Sequence, residues 1–258
     1  MGQNFKDKRV LITGASNGLG KAAANAFEKK GARLALAARS DSKLAALKKS
    51  FYDPGKHLVF NLDLLDSKNI EKLTASIIEK WGGVDIILHC IGGSFGVNET
   101  LVDWGNFVKC LRGNIGIASE INRYLAPGMR EQSSGSIIHV GSIVGSEARA
   151  SVPYNTSKAA LSGYVRSLGK ELAEDGIVVS GILPGAFYGD DNAMFRYEYY
   201  KPEEYQEFVK SLPQGRMPIA DEYVPMLFLL ANPESKIVNG SLIAMDGAQG
   251  QAYYHYSG

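Results

Sequence analysis

The chain has 258 residues, a formal net charge of +1, and basic and acidic residues interleaved along its length. This balance argues against nucleic acid as a partner, because nucleic-acid-binding proteins carry a basic stripe. Only strand-sized apolar runs occur and the N-terminus lacks a signal-peptide core, which predicts a cytoplasmic protein with no membrane partner. The length suits one α/β domain covering residues 1–258.

Strand and helix patterns alternate along the chain. Short apolar or β-branched runs predict these strands: Arg9–Thr13, Arg33–Ala38, His57–Asn61, Val84–Ile91, Ser136–Val140, Ile177–Leu183 and Ser241–Ala244. Helical spacing predicts a first helix ending at Lys30, then Ser42–Lys49, Ser67–Lys80, Leu101–Cys110, Asn114–Met129, Tyr154–Glu174 and a last helix that Asp221 caps and that ends at Ala231. Residues 186–218 read as irregular and aromatic-rich. The alternation predicts a doubly wound parallel sheet in three α/β/α layers, a Rossmann fold that binds ligands beyond its strand C-termini.

A glycine-rich loop separates the first strand from the first helix. It reads Thr13-Gly14-Ala15-Ser16-Asn17-Gly18-Leu19-Gly20. The first glycine permits a tight turn, Gly18 lets backbone approach a pyrophosphate, and Gly20 allows the helix to pack closely on the strand. The spacing differs from the commonest dinucleotide fingerprint, and a merely connecting turn is the alternative. The strand–turn–helix context favours phosphate binding.

The end of the second strand bears on cofactor choice. Folds that select NAD place an acid there for the ribose 2′-hydroxyl, whereas this chain reads Ala38-Arg39-Ser40. An arginine can pair with a 2′-phosphate, so NADP(H) is favoured over NAD(H), with an ordinary solvated Arg39 as the alternative. Asn17 offers no second charge for that phosphate. Asp63, after the third strand, either accepts a hydrogen bond from the adenine amino group or caps a turn.

The stretch from Gly141 to Lys158 carries the candidate chemistry. A buried strand delivers Ser142 to its carboxyl end, and Tyr154 and Lys158 stand one helical turn apart on one face. A tyrosine phenol titrates near ~10, and a neighbouring ammonium would lower the pKa of Tyr154 enough for it to serve as a general acid or base. The Ser142 hydroxyl can bind the same substrate oxygen.

Together these motifs resemble the short-chain dehydrogenase/reductase family in its single-domain form, over Lys6 to Ala248. The resemblance implies a homotetramer that transfers a hydride reversibly between a nicotinamide and a carbonyl or secondary alcohol. It implies that Tyr154 moves the proton, and that Lys158 holds the nicotinamide ribose and lowers the tyrosine pKa. Ser142 would orient the substrate oxygen, and Asn114 would hold a proton-relaying water.

The cofactor contacts predicted from the motifs and the resemblance lie at the strand C-termini. They are Gly14, Ser16, Asn17, Gly18, Leu19, Gly20, Arg39, Ser40, Asp63, Leu64, Ile91, Gly92, Tyr154, Lys158, Pro184 and Gly185. No metal site is predicted, and His89 and His139 are interpreted as hydrogen-bonded core residues.

The chain departs from the family at three places, one of which is Ser180, where the sixth strand usually carries an asparagine four residues before its proline. His89-Cys90-Ile91-Gly92 stands where the family usually has Asn-Asn-Ala-Gly, so packing between strands must be rebuilt there and Ile91 is expected to crowd the cofactor side. The interval from Ser142 to Tyr154 is one residue shorter than usual, which could shift the serine relative to the phenol.

Residues 186–218 follow Pro184-Gly185, where family members place a substrate-covering lid. Its aromatic residues, with Phe187 and Tyr188 as substrate contacts, suit a polyhydroxylated or cyclic substrate, or else they pack the lid onto the core. The aromatic tail 249–258 is expected to pack on a neighbouring subunit.

Two other functions stay open. A 3-oxoacyl-carrier-protein reductase would need a more basic lid to meet an acidic carrier. A non-catalytic NADP(H)-sensing protein would not need the intact Ser142, Tyr154 and Lys158.

Overall fold

The computed structural model describes residues 4–251. Its strands are β1 Arg9–Thr13, β2 Arg33–Ala38, β3 Leu58–Asn61, β4 Ile86–His89, β5 Gly135–Val140, β6 Ile177–Pro184 and β7 Leu242–Met245. Its α-helices are α1 Gly18–Lys29, α2 Asp41–Lys49, α3 Ser67–Trp81, α4 Trp104–Leu111, α5 Ile117–Glu131, α6 Val152–Leu172, α7 Ala193–Tyr200, α8 Pro202–Ser211 and α9 Val224–Ala231. No helix within residues 4–251 has the length and apolar character needed to cross a bilayer.

The strands form one parallel sheet in the order β3-β2-β1-β4-β5-β6-β7. The strand order reverses between β1 and β4, which opens a crevice at the carboxyl ends of these two strands. Both the loop after β1 and the loop after β4 reach this crevice, because a carbon built as Cβ on Gly14 would lie 3.1 Å from the Cys90 carbonyl carbon. The predicted doubly wound sheet is confirmed.

Apolar cores lie on both faces of the sheet. Along β1, Val10 and Ile12 face a core built with α1, α2 and α9, whereas Leu11 faces a second core built with α3, α5 and α6. This alternation follows from the two-residue repeat of a strand. Because both faces are covered, the polar groups of the sheet are available to ligands only at its edges.

Two predictions for the last third of the chain are wrong. Residues 186–218 contain α7 and α8 and are not wholly irregular. Asn192 begins α7 by accepting a hydrogen bond from the Phe195 amide, and Pro202 opens α8, so both helices have local start signals. Asp221 does not cap a helix, since it lies inside a 3-10 turn, Ala220–Tyr223, that precedes α9.

Candidate active site

The glycine loop has a geometry that fits a pyrophosphate. Gly14 and Gly18 have φ angles of 67° and 48°, in the left-handed region that glycine adopts most readily. A Cβ built on Gly18 meets nothing within 4 Å, so the backbone there borders open space. Asn17 makes no capping bond and the first turn of α1 has no acidic residue, which leaves the helix dipole free to favour an anion.

Replacing Gly20 by alanine is expected to destabilise the protein by about 1–3 kcal/mol, because the new Cβ would lie 2.4 Å from the Gly14 carbonyl oxygen. Urea denaturation measures the loss. Gly163→Ala is the matched control, since its Cβ would meet nothing within 4 Å and alanine favours the helix interior. Equal stability of the two variants would contradict the close packing that we describe.

Near the end of β2, the predicted cofactor residues lie close to Lys43, which the sequence analysis did not single out. Arg39 is exposed at the end of β2, and its carbonyl oxygen accepts a hydrogen bond from Asn61 Nδ2 at 2.7 Å. Asp63 Oδ1 accepts a bond from the Leu65 amide at 3.1 Å, so this carboxylate does fix a turn. Lys43 Nζ lies 3.0 Å from Asn17 Oδ1. The Lys43 ammonium is therefore next to Asn17, the glycine-loop residue that carries no charge of its own.

The remaining predicted cofactor residues lie around the same edge of the sheet. Ser40 precedes α2, and the buried Leu64 packs in the core beside β3, while Ile91 packs partly buried against that same core. Pro184 ends β6, and Gly185 follows it. Contact of these residues with a cofactor stays a prediction.

Ser142, Tyr154 and Lys158 converge beyond β5. The Ser142 and Tyr154 side chains lie close enough to interact electrostatically, and Ser142 Oγ accepts a hydrogen bond from the Val144 amide at 3.3 Å. A Cβ on Gly145 would lie 2.9 Å from the Lys158 carbonyl carbon, so this glycine lets the serine turn pack directly on α6. This close approach explains how the shortened interval still brings serine and phenol together.

The predicted lowering of the Tyr154 pKa is wrong for this state of the site. Burial raises the pKa of Tyr154 to about 12, against a smaller opposing effect of the Ser142 side chain. Lys158 Nζ lies 5.9 Å from the centre of the Tyr154 ring and donates to the Val140 carbonyl oxygen at 2.9 Å. Burial lowers the pKa of Lys158 to about 8. The helical spacing predicted that Tyr154 and Lys158 share one helix face. It did not predict that burial would remove both side chains from water.

Asn114 lies in a π-helical turn, Arg112–Gly116, between α4 and α5. Its Nδ2 donates to the Cys110 and Gly93 carbonyl oxygens, both at 2.9 Å, and its Oδ1 accepts from the Gly93 amide at 3.1 Å. A Cβ on Gly92 would lie 2.8 Å from Lys158 Nζ and 3.0 Å from Asn114 Oδ1. Gly92 therefore lets the β4 loop, the lysine and the asparagine meet.

Two stacked histidines rebuild the packing where the usual asparagines are missing. His89 and His139 are register partners on β4 and β5, with ring centres 4.8 Å apart. His89 Nε2 and Asn122 Oδ1 are 2.9 Å apart, and Asn122 Nδ2 donates to the Tyr164 hydroxyl at 3.0 Å. Burial lowers the pKa of both histidines, that of His89 to about 4. They are therefore neutral core residues. The predicted hydrogen bonding is found at His89 Nε2 but is wrong for His139, because neither of its ring nitrogens has a hydrogen-bond partner within residues 4–251.

The aromatic lid residues mostly pack on protein. The Phe187 ring lies 5.1 Å from that of Tyr223, and the Tyr188 backbone bonds to residues 218 and 220. Tyr197 contacts Tyr205 and Phe208, which joins α7 to α8. The packing alternative therefore accounts for these rings, and substrate contact by Phe187 and Tyr188 stays a prediction.

A cavity of about 610 Å³ lies between α8 and the C-terminal segment, lined among others by Arg149, Phe208 and Gln249. Gln249 pairs with both backbone polar groups of Ala186, at 2.7 and 3.0 Å. These two hydrogen bonds join the wall of the cavity to the segment that follows Pro184-Gly185. Of the predicted tail 249–258, residues 252–258 lie outside the described residues.

A known protein family matches most of this chain. The family model described as short chain dehydrogenase matches residues 8–198. A 3-oxoacyl-(acyl-carrier-protein) reductase of Vibrio cholerae is 27% identical over 248 residues, which are 95% of this chain and 98% of that protein.

Two solved structures are similar in fold. L-sorbose reductase from Gluconobacter frateurii, complexed with NADPH and L-sorbose, is 26% identical with a TM-score of 0.84, covering 96% of this chain and 98% of that one. An actinorhodin polyketide ketoreductase variant with NADPH is 25% identical with a TM-score of 0.86, covering 95% and 98%.

Proposed function

The chain belongs to the short-chain dehydrogenase/reductase family, and from this premise we propose an NADP(H)-preferring oxidoreductase that acts on a ketone/secondary-alcohol pair. The observation that carries the proposal is the convergence of Ser142, Tyr154 and Lys158 beyond β5, with Lys158 Nζ 5.9 Å from the centre of the Tyr154 ring. The open space over Gly18 and the free N-terminus of α1 support a bound dinucleotide. NADPH in two similar structures supports the choice of cofactor.

A bound NADPH would supply the hydride for the carbonyl carbon. Tyr154 donates its phenolic proton to the substrate oxygen, and Ser142 donates a hydrogen bond that orients the same oxygen. The raised pKa of Tyr154 keeps this phenol protonated at neutral pH, which suits reduction of the carbonyl. Lys158 would hold the nicotinamide ribose, and Asn114 would hold a water that returns a proton to the site.

The substrate class is a small ketone or alcohol, polyhydroxylated or cyclic. The name of the sorbose reductase supports a polyhydroxylated ketone. The test is oxidation of NADPH, followed by absorbance, over a panel of sugars, cyclic ketones and 3-oxoacyl thioesters. Turnover of any panel ketone is expected, whereas NADPH binding without turnover across the panel would favour the sensing protein.

A 3-oxoacyl-carrier-protein reductase is the second candidate, because the Vibrio cholerae relative carries that name. The lid argues against it. Arg196 and Lys201 are accompanied by Asp190, Asp191 and Glu204, and Lys201 is itself paired with Glu204 at 2.9 Å. Such a surface attracts an acidic carrier weakly. Faster turnover of a carrier-bound thioester than of every free ketone would favour this candidate.

The family likeness also supports a homotetramer in the cytoplasm as part of this proposal. Light scattering of the full chain measures the assembly, and a monomer would contradict it.

Arg39→Ala is expected to weaken NADPH binding by about ten-fold or more, because a charge-assisted bond to the 2′-phosphate is lost. NADH lacks that phosphate, so its affinity is expected to stay the same. Titration of cofactor fluorescence measures both dissociation constants. Arg166→Ala, an exposed arginine on α6, is the control and should change neither. Equal losses for the two cofactors would remove Arg39 from the specificity site.

A further inference from the structure

Two ion pairs tie the start of the lid to the nucleotide loop. We name residues 189–191 the lid turn. Asp190 Oδ2 lies 2.5 Å from Lys21 Nζ on α1, and Asp191 Oδ2 lies 2.6 Å from Lys43 Nζ on α2. The lid turn thus contributes two carboxylates to the rim of the crevice where we propose that an anionic cofactor binds.

The lid turn also lies directly on the glycine loop. A Cβ built on Gly189 would be 2.9 Å from the Gly18 Cα atom, so the two backbones lie close together beside the open space that a Cβ on Gly18 would face. Asp191 has a φ of 60°, a left-handed conformation that aspartate tolerates better than most residues. Arg196 Nη1 donates to the Asp191 carbonyl oxygen at 2.6 Å, which holds the turn with its carboxylate toward Lys43.

Lys43 bridges this carboxylate and Asn17 of the glycine loop. Its Nζ is 3.0 Å from Asn17 Oδ1 as well as 2.6 Å from Asp191 Oδ2. Asn17 is the loop position that carries no charge for the phosphate, and Arg39 lies at the end of the neighbouring strand. The fold therefore supplies from α2 the second cation that the loop sequence lacks.

We propose that Lys43 binds the adenosine 2′-phosphate of NADP(H) and that Asp191 occupies Lys43 until this phosphate arrives. The inference rests on the proposed function. Exposed ion pairs are weak and a phosphate carries about two negative charges, so the phosphate can displace the carboxylate. NADPH binding then replaces the Lys43–Asp191 ion pair by an ion pair between Lys43 and the 2′-phosphate. NADH has no 2′-phosphate, so its binding must open the Lys43–Asp191 pair without a replacement. The lid turn thereby adds to cofactor selection.

The test compares dissociation constants of NADPH and NADH for the full chain by fluorescence titration. Lys43→Met is expected to weaken NADPH binding by about ten-fold, because it loses a charge-assisted bond. The same variant is expected to tighten NADH binding by about two- to five-fold, because the pair with Asp191 no longer has to open. A merely structural role of Lys43 would move both affinities in the same direction.

Asp191→Asn removes the carboxylate charge and keeps a residue that favours the left-handed turn. It is expected to tighten the binding of both cofactors by about two- to five-fold. In a protein that already carries Lys43→Met, adding Asp191→Asn is expected to change neither affinity further. Lys49→Met, at the other end of α2, is the control and should change neither affinity. Unchanged or weakened binding in Asp191→Asn would overturn the inference.

Release of the lid turn has a readout that needs no turnover. Adenosine 2′-monophosphate is expected to speed amide hydrogen exchange in α7 of the wild type but not of Lys43→Met. Suppose that the wild type prefers NADPH and that Arg39→Ala loses this preference. If Lys43→Met then does not move the NADPH and NADH affinities in opposite directions, only this inference is overturned. If the wild type binds neither dinucleotide, the proposed function is overturned together with it.

Discussion

Replacing Tyr154 by phenylalanine is expected to lower kcat by about 100-fold or more, since positioned proton transfer contributes roughly that much. The substitution keeps the ring on α6 and removes only the hydroxyl. The proposed proton donor to the substrate oxygen is then missing. Steady-state rates on the best panel ketone measure the loss, and the NADPH dissociation constant should stay within about three-fold because the ring is retained.

Tyr164→Phe is the matched control for this loss. Tyr164 lies on the same helix ten residues later, about 15 Å along its axis, with its hydroxyl bonded to Asn122. Its removal is expected to change stability and to leave kcat almost unaltered. If Tyr154→Phe kept the wild-type rate, the proton carrier would have to be another group, and the proposed mechanism would be wrong.

The free energy of unfolding is expected to fall by about 3 kcal/mol between pH 7 and pH 4 through His89 alone. The pKa of His89 is about 4 in the folded protein because of burial, against an ordinary value of 6.5. Between these values the unfolded chain binds a proton and the folded chain does not, so stability rises with pH and is lost as pH falls. His139, whose pKa lies well below 6.5, adds to the loss.

The groups around the pair explain the direction of the shift. Asn122 stabilises the charged His89 ring only slightly, while Lys158 and the neighbouring His89 both oppose a charge on His139. Tyr164 packs edge-on against His139 at 5.7 Å and, like Asn122, is neutral at these pH values. Among residues 4–251, no carboxylate contributes to either shift.

Urea denaturation of the wild type and His89→Asn at several pH values tests this expectation. The variant places an asparagine where the family usually has one, and its stability should depend less steeply on pH below 6.5. Above pH 7 the difference between the two proteins should be constant, which serves as an internal control. The same pH dependence in both proteins would show that His89 is not the titrating group.

Local patterns predicted the elements that position the site. β1 and β2 begin and end at the predicted residues, and the glycine loop lies between β1 and α1. The lid helices were missed although Tyr205, Phe208 and Val209 recur at helical spacing in α8. The capping side chain of Asn192 and the turn begun by Pro202 would have indicated both.

The sequence by itself determined the sheet, the loop at its crevice and the common face of Tyr154 and Lys158, because each depends on spacing along one strand, turn or helix. Only the tertiary structure decided that burial raises the phenol pKa and that Lys43 meets both Asn17 and Asp191, which are 26 and 148 residues away. Desolvation and charge pairing depend on distance and burial in space, and separation along a chain does not encode either.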